Sequence, residues 1–280
     1  MPFTIKPVGE HLGAECIGLD AALATAGDAE ALKRALGDHG VLFLRGQKLS
    51  PGALRDFGAL FGPVEAPIRD RFKVPGQDDV YVISNIVEDG KPIGNPNDGF
   101  GWHTDQSYMV HPTAYTFLYG VETPAEGAAT QFATTVKAYD DLDEAGRARF
   151  AAMQAIHSLQ RIQEDRTWDL PLTQDELARA PDVAHPMVRT HPLTGRKALY
   201  FGTKRACYPI GVPEAGRHVF IDGLVERCTK PGYVYSHQWQ PGDLVMWDNR
   251  GLLHRATEYD RQKYRRRMHR VSVTGERPYL

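Results

Sequence analysis

A chain of 280 residues with 42% hydrophobic content is long enough to bury a sizeable core, and β-rich folds of this size commonly form one domain. The formal net charge of −2 excludes the global basic field that a nucleic-acid or anionic-membrane partner would require. Cys16, Cys207 and Cys228 are an odd trio without C-x-x-C spacing, which argues against a disulfide framework or a cysteine zinc site and for a reduced, cytoplasmic setting.

From the N-terminus, Met1 to Lys6 lacks a basic segment leading into an apolar stretch, and no run approaches the ~20 apolar residues of a membrane span. Asp28 to His39 reads as an amphipathic helix with Leu32 and Leu36 on one side, leading into a strand at Val41–Leu44. Ser50-Pro51 supplies an N-cap and a proline at the first helical position. Leu54, Phe57 and Leu60 continue that helix to Gly62-Pro63, and a strand follows at Val80–Ile83. Lys91 to Gly101 is rich in Gly, Asn and Pro and reads as a loop delivering the chain to His103.

Strands are expected at Ala114–Val121 and Thr130–Thr134, separated by the turn residues Pro124 to Gly127. Tyr139 to Ser158 reads as mostly helical, and Gln160 to Pro186 as a polar, proline-broken irregular segment. Residues 85–101 and 160–186 are therefore the expected lid or substrate loops. Pro192 to Arg196 is a hairpin turn between Met187–His191 and Lys197–Phe201, and Pro213 to Cys228 is a helix. Strands at Tyr233–Trp239, Leu244–Trp247, Leu252–Thr257 and Arg266–Thr274 complete the chain. Without a repeat or linker, residues 1–280 are expected to form a single, mainly β domain: a β-sandwich or jelly-roll core with flanking helices.

Gly101-Trp102-His103-Thr104-Asp105 and Trp247-Asp248-Asn249-Arg250-Gly251-Leu252-Leu253-His254 carry the chemistry. In an extended segment His103 and Asp105 share one side, and His254 must join them from a remote strand. Two imidazoles and one carboxylate can hold one face of iron(II) and leave the other open, as in non-haem oxygenases. An H-x-D triplet alone is more often a surface or packed pair; the glycine-rich approach to His103 and the strand before His254 shift the balance. His157, His185, His191, His218 and His237 lack a partner at ligand spacing and read as structural or exposed.

On the last strand Arg266, Met268, Arg270 and Ser272 share a face, which spaces the two guanidiniums about 13 Å apart at ~3.3 Å per residue. Guanidinium pairs bidentately with carboxylate, so one suits a cosubstrate acid and the other a substrate anion. The plain alternatives are a solvated basic edge and a small nucleic-acid patch, the latter without interleaved aromatic residues.

These residues carry a family resemblance. Trp102 to Asp105, Glu126 to Thr130, Arg189 to Pro192, Pro241 to Leu244, Trp247 to Arg250, His254 and the arginine-rich strand together resemble the iron(II)/2-oxoglutarate-dependent dioxygenases of the taurine and 2,4-dichlorophenoxyacetate dioxygenase group. The resemblance runs from Leu12 to Pro278 and implies a double-stranded β-helix core. It implies that His103, Asp105 and His254 bind Fe(II), and that Thr130 and Arg266 hold the far carboxylate of the cosubstrate 2-oxoglutarate. It further implies that Arg270 binds an anionic substrate and that O2 is the oxidant. His254 lies one residue further from these arginines than in the taurine enzyme, so Arg265 stands beside Arg266 for the cosubstrate role. Asp98 to Gly101 does not reproduce a taurine pocket, and Ile210 to Arg217 is closer to the phenoxyacetate branch. The implied reaction hydroxylates, and can thereby cleave, a small anionic acid such as an aryloxyalkanoate, sulfonate or related carboxylate, releasing succinate and CO2. Oligomers are common in the group. A zinc hydrolase and a non-catalytic binding protein on the same fold are the competing classes.

Overall fold

The computed structural model describes residues 3–68, 70–165 and 171–280. A nine-stranded sheet carries the fold. Leu244–Asp248 pairs antiparallel with Val41–Leu44 on one side and Thr113–Glu122 on the other. Arg267–Thr274 then joins Thr113–Glu122 to Gln77–Ser84. A second sheet of three strands sets Thr130–Thr134 between Val234–His237 and Leu252–Ala256. The two sheets pack through Phe132 of the smaller and Trp247 of the larger, whose rings lie 5.4 Å apart. This is the expected jelly-roll core.

Both faces of the large sheet are buried, and strand periodicity separates them. Tyr115, Phe117 and Tyr119 face outward with Leu244, Met246, Val271 and Val273, and the helices Ala26–His39 and Pro51–Ala59 cover them with Leu32, Leu36, Leu54 and Phe57. Leu118, Val245, Trp247 and Met268 face the sandwich interior with Phe132. Thr116 and Arg270 share that inward parity. Phe117 and Phe132 are both fully buried; truncating such a ring to Ala typically costs about 3–5 kcal/mol.

Local signals set the helix ends. Thr25 and Asp28 close a capping box on Ala26–His39, and Ser50 caps Pro51–Ala59 with proline in its first turn. Elsewhere the expected elements differ from those found. Tyr139–Ser158 is not mostly helical: Thr135–Asp140 and Glu144–Ala151 are helices, and Gln154–His157 is a strand between Val183–Pro186 and Cys207–Pro209. The 160–186 segment is ordered where described, with helices Leu159–Asp165 and Gln174–Ala178, the latter capped reciprocally by Thr173 and Glu176. Residues 166–170 of that expected lid lie outside the described residues. In the 85–101 segment Val87–Glu88 and Lys91–Pro92 form a short hairpin. Among the described residues no helix is long and apolar enough to cross a membrane.

Candidate metal centre

His103 and His254 lie side by side, joined by an isolated antiparallel bridge at the edge of the small sheet. The His103 N–H donates to the His254 carbonyl at 3.0 Å, and the His254 N–H donates to the His103 carbonyl at 2.8 Å. The bridge brings the imidazole centroids to 4.1 Å. Asp105, two residues on, swings back to the same point: its carboxylate lies 3.9 Å from His103 Nε2 and 3.6 Å from His254 Nε2. All three donor atoms fall within 4.8 Å of one another, and among the described residues this is the one such group of metal-ligating side chains.

Neighbouring groups fix each donor. His103 Nδ1 lies 2.8 Å from the Gly101 carbonyl, so Nδ1 carries the proton and Nε2 presents its lone pair. The Thr116 hydroxyl donates to Asp105 Oδ2 at 2.7 Å. Asn249 binds this corner from three sides. Its side-chain oxygen accepts from the Asp105 N–H at 3.2 Å and from Trp247 Nε1 at 3.0 Å, and its amide nitrogen donates to Thr116 at 2.9 Å. Hydrogen-bonded partners of this kind orient metal ligands. Directly after Asp105, Gln106 adopts φ +48°, a strained conformation for a non-glycine residue. With its amide turned to satisfy both groups, Gln106 donates to both carboxylate oxygens of Glu65 at 2.6 and 2.9 Å.

The electrostatics suit a cation. Burial raises the Asp105 carboxyl, but His254, Arg270 and His103 and the Thr116 hydrogen bond outweigh it and hold the group ionised, at about 2. Burial, aided by His103, pushes the His254 imidazole down to about 3, so it stands neutral and able to ligate. Burial pushes the Glu65 carboxyl up to about 7, partly opposed by its Thr113 hydrogen bond and by Arg270. Two imidazoles and one carboxylate converging on one point form the donor set that a divalent transition metal requires.

Arg270 reaches the same spot. Its Nη1 lies 3.2 Å from Asp98 and 3.8 Å from Asp105, and its guanidinium stacks over Tyr81 at 4.7 Å. A cavity of about 620 Å³ opens from His103, Asp105 and Arg270. Polar Asp98, Gln163 and Arg205 line it, alongside an apolar wall that includes Phe100, Trp102, Tyr108, Ile68, Leu159 and Ile162.

Arg266 and Thr130 lie outside that lining. Arg266 is 6% exposed, and its guanidinium forms no ion pair with a described residue; burial, aided by the Arg261 charge, pulls it down to about 10. Its backbone is pinned between Asn85 and Ser84. Arg265 instead faces outward and pairs with Glu122. Thr130 is buried at the end of its strand, where Trp239 Nε1 donates to its hydroxyl oxygen at 2.9 Å. Thr130 and Arg266 share no hydrogen bond.

Among the plainer histidines, His191 pairs with Asp248 at 2.9 Å and receives two backbone N–H bonds in its hairpin turn. His157 and His185 touch at 5.3 Å between centroids. Thr116, Asn249, Gln106, Glu65 and Asp98 join the site although sequence reasoning gave none of them a role. Asn249 and Asp98 stood inside motifs already singled out; Thr116 and Glu65 carried no local signal.

Residues 4–272 match the family described as "Taurine catabolism dioxygenase TauD, TfdA family". The (S)-phenoxypropionate/alpha-ketoglutarate-dioxygenase of Delftia acidovorans is 34% identical over 280 residues, 91% of this chain and 90% of the relative. Pentalenolactone F synthase of Streptomyces arenae is 30% identical over 243 residues, covering 82% and 81%. The crystal structure of AAD-2 in complex with Mn(II) and N-oxalylglycine superposes with a TM-score of 0.85 at 28% identity, covering 100% of this chain and 99% of that one.

Proposed function

The chain belongs to the TauD/TfdA family of dioxygenases, and from that premise we propose that it is an iron(II)- and 2-oxoglutarate-dependent enzyme hydroxylating a small anionic organic acid. The observation that carries this reading is the convergence of His103, Asp105 and His254 at the edge of a large cavity. Those three residues would hold the metal. Iron(II) bound there supplies activation of dioxygen, coupled to oxidative decarboxylation of 2-oxoglutarate to succinate and carbon dioxide.

The chain's own groups provide position and charge. Arg266, buried and without an ion-pair partner among the described residues, is assigned the far carboxylate of 2-oxoglutarate. Thr130 assists, because its oxygen accepts from Trp239 and its own hydrogen remains to be donated. Arg270 takes the anionic group of the substrate. Phe100, Trp102, Leu159 and Ile162 would enclose the apolar body and exclude water around the C–H bond to be attacked. An aryloxyalkanoate or a comparable sulfonate fits this combination of a guanidinium beside the metal ligands and apolar walls. The hydrolase alternative lacks the H-E-x-x-H helix of the zinc peptidases. A cytoplasmic location is part of the same proposal, supported by three buried free cysteines whose thiols burial pushes up to about 12.

The test is succinate release across aryloxyalkanoates, alkyl sulfates, sulfonates and phosphonates, with and without iron(II). Succinate formed only with iron(II) and stimulated by one acid class supports the reading. Zinc-dependent hydrolysis without consumption of 2-oxoglutarate contradicts it.

A further inference from the structure

We propose that Asp98 is a built-in competitor for the anion subsite, so that an acidic substrate binds by displacing a carboxylate of the protein itself. The inference rests on Arg270 being the substrate's anchor. Asp98 Oδ2 accepts from Arg270 Nη1 at 3.2 Å, and both residues line the cavity beside His103 and Asp105. The contact is one-pronged: Arg270 Nε is buried and makes no hydrogen bond. A bidentate oxyanion would therefore be a better partner than the one already present.

The surroundings permit the exchange. Asp98 sits at the cavity wall with its side chain 21% exposed, so its carboxylate reaches water by a rotamer change. The backbone around it is held in place. The Asn97 N–H donates to the Asn95 side chain, Arg261 donates to Asn97, and the Gly99 carbonyl accepts from Ala256. The next residue, Gly99, has φ +87°, a conformation that carries no penalty for glycine alone, so the loop keeps its path while only the Asp98 side chain moves.

The consequence is selection by charge as well as shape. Breaking a partly buried ion pair without a replacement leaves Arg270 with the longer Asp105 contact, at 3.8 Å, and that loss is unfavourable. A neutral molecule of the right outline leaves the pair closed and the space beside the metal ligands narrowed. An anion replaces Asp98 and opens it. Asp98 thus lowers the affinity for every ligand but penalises uncharged ones most.

The experiment measures anaerobic binding of phenoxyacetate and of its neutral counterpart phenoxyethanol to the protein loaded with iron(II) and 2-oxoglutarate, by calorimetry. Asp98→Asn and Asp98→Ser should each tighten phenoxyacetate about tenfold, as expected when a competing closed state is removed, and bring phenoxyethanol into measurable range. Thermal melting of both variants confirms that the fold is kept. Unchanged or weaker phenoxyacetate binding in both folded variants overturns the proposal, since Asp98 would then merely support Arg270. Arg270→Gln separates the two readings. If it fails to weaken phenoxyacetate, the anchor assignment itself falls. If it weakens binding while the Asp98 variants change nothing, only the competitor role is lost.

Discussion

Thr116 donates its hydroxyl to Asp105 Oδ2 at 2.7 Å from the inward face of the strand Thr113–Glu122. That bond holds one oxygen of the only anionic candidate ligand, leaving the other oxygen toward His103 at 3.9 Å. Thr116→Val keeps the shape and removes the donor. It also leaves the Asn249 amide, which donates to Thr116, without its acceptor. Loss of such an orienting group typically lowers metal affinity about 10- to 100-fold, with a stability loss of about 1–3 kcal/mol for the stranded amide. Titration with Mn(II), followed by electron paramagnetic resonance, and urea unfolding measure the two effects separately. Unaltered Mn(II) affinity would mean that Asp105 needs no help from the strand.

Arg265 and Arg266 are adjacent in sequence and opposite in environment. Arg265 lies 60% exposed against Glu122, whereas Arg266 is buried and makes no ion pair with a described residue. Arg266→Gln should raise the KM for 2-oxoglutarate by about 30-fold or more, the loss expected when one member of a buried charge pair is removed. Arg265→Gln should leave it within about twofold, since exposed ion pairs contribute little. Steady-state succinate formation over a 2-oxoglutarate series decides between them, and the reverse pattern would transfer the role to Arg265.

The inward face of the last strand was legible because alternation holds from Met268 to Val273. Met268 and Arg270 point in, while Val271 and Val273 pack under the helices; Arg266 precedes the strand, and an irregularity in register separates Arg267 from Met268. The metal ligands were legible for a different reason: the chemistry demands particular side chains, and those stood in specific motifs. The 139–186 region was only partly legible. Gln154–His157 is a short strand with exposed Gln154 and Ile156, sandwiched between two partners distant in sequence, so tertiary pairing rather than local pattern decides it. The Asp98–Arg270 pair is likewise invisible along the chain, because it forms between a loop and a strand that only the folded sandwich brings together.

Trp239 acts on Thr130 through one hydrogen bond, Nε1 to Oγ1 at 2.9 Å. By occupying the hydroxyl's acceptor site it aims the Thr130 hydrogen elsewhere. Trp239→Phe keeps the aromatic bulk, which packs beside His237 at 4.9 Å, and frees the hydroxyl to rotate. The KM for 2-oxoglutarate should rise about 3- to 10-fold, the value of one ordinary hydrogen bond, while the affinity for phenoxyacetate stays put. A matching rise for both ligands would point to collapse of the site rather than to loss of orientation.

His157 is fully buried, and neither ring nitrogen bonds to a described residue. Burial, with the neighbouring His185, pushes its imidazole down to about 3 from an ordinary 6.5. The folded state therefore refuses a proton that the unfolded chain accepts. This contribution to stability is intact above pH 6.5 and is lost as the pH falls from there toward about 3. Each such group steepens the acid limb by at most about 1.4 kcal/mol per pH unit. His157→Phe, which retains a ring stacked on Tyr200, should flatten the fall in urea midpoint between pH 6.5 and 4.5 by one proton's worth in the metal-free protein. Because His185, His237 and His269 are also shifted down by burial, the variant should still lose stability in acid, only less steeply. Superimposable pH profiles for the two proteins would show that the His157 pocket admits the charged ring after all.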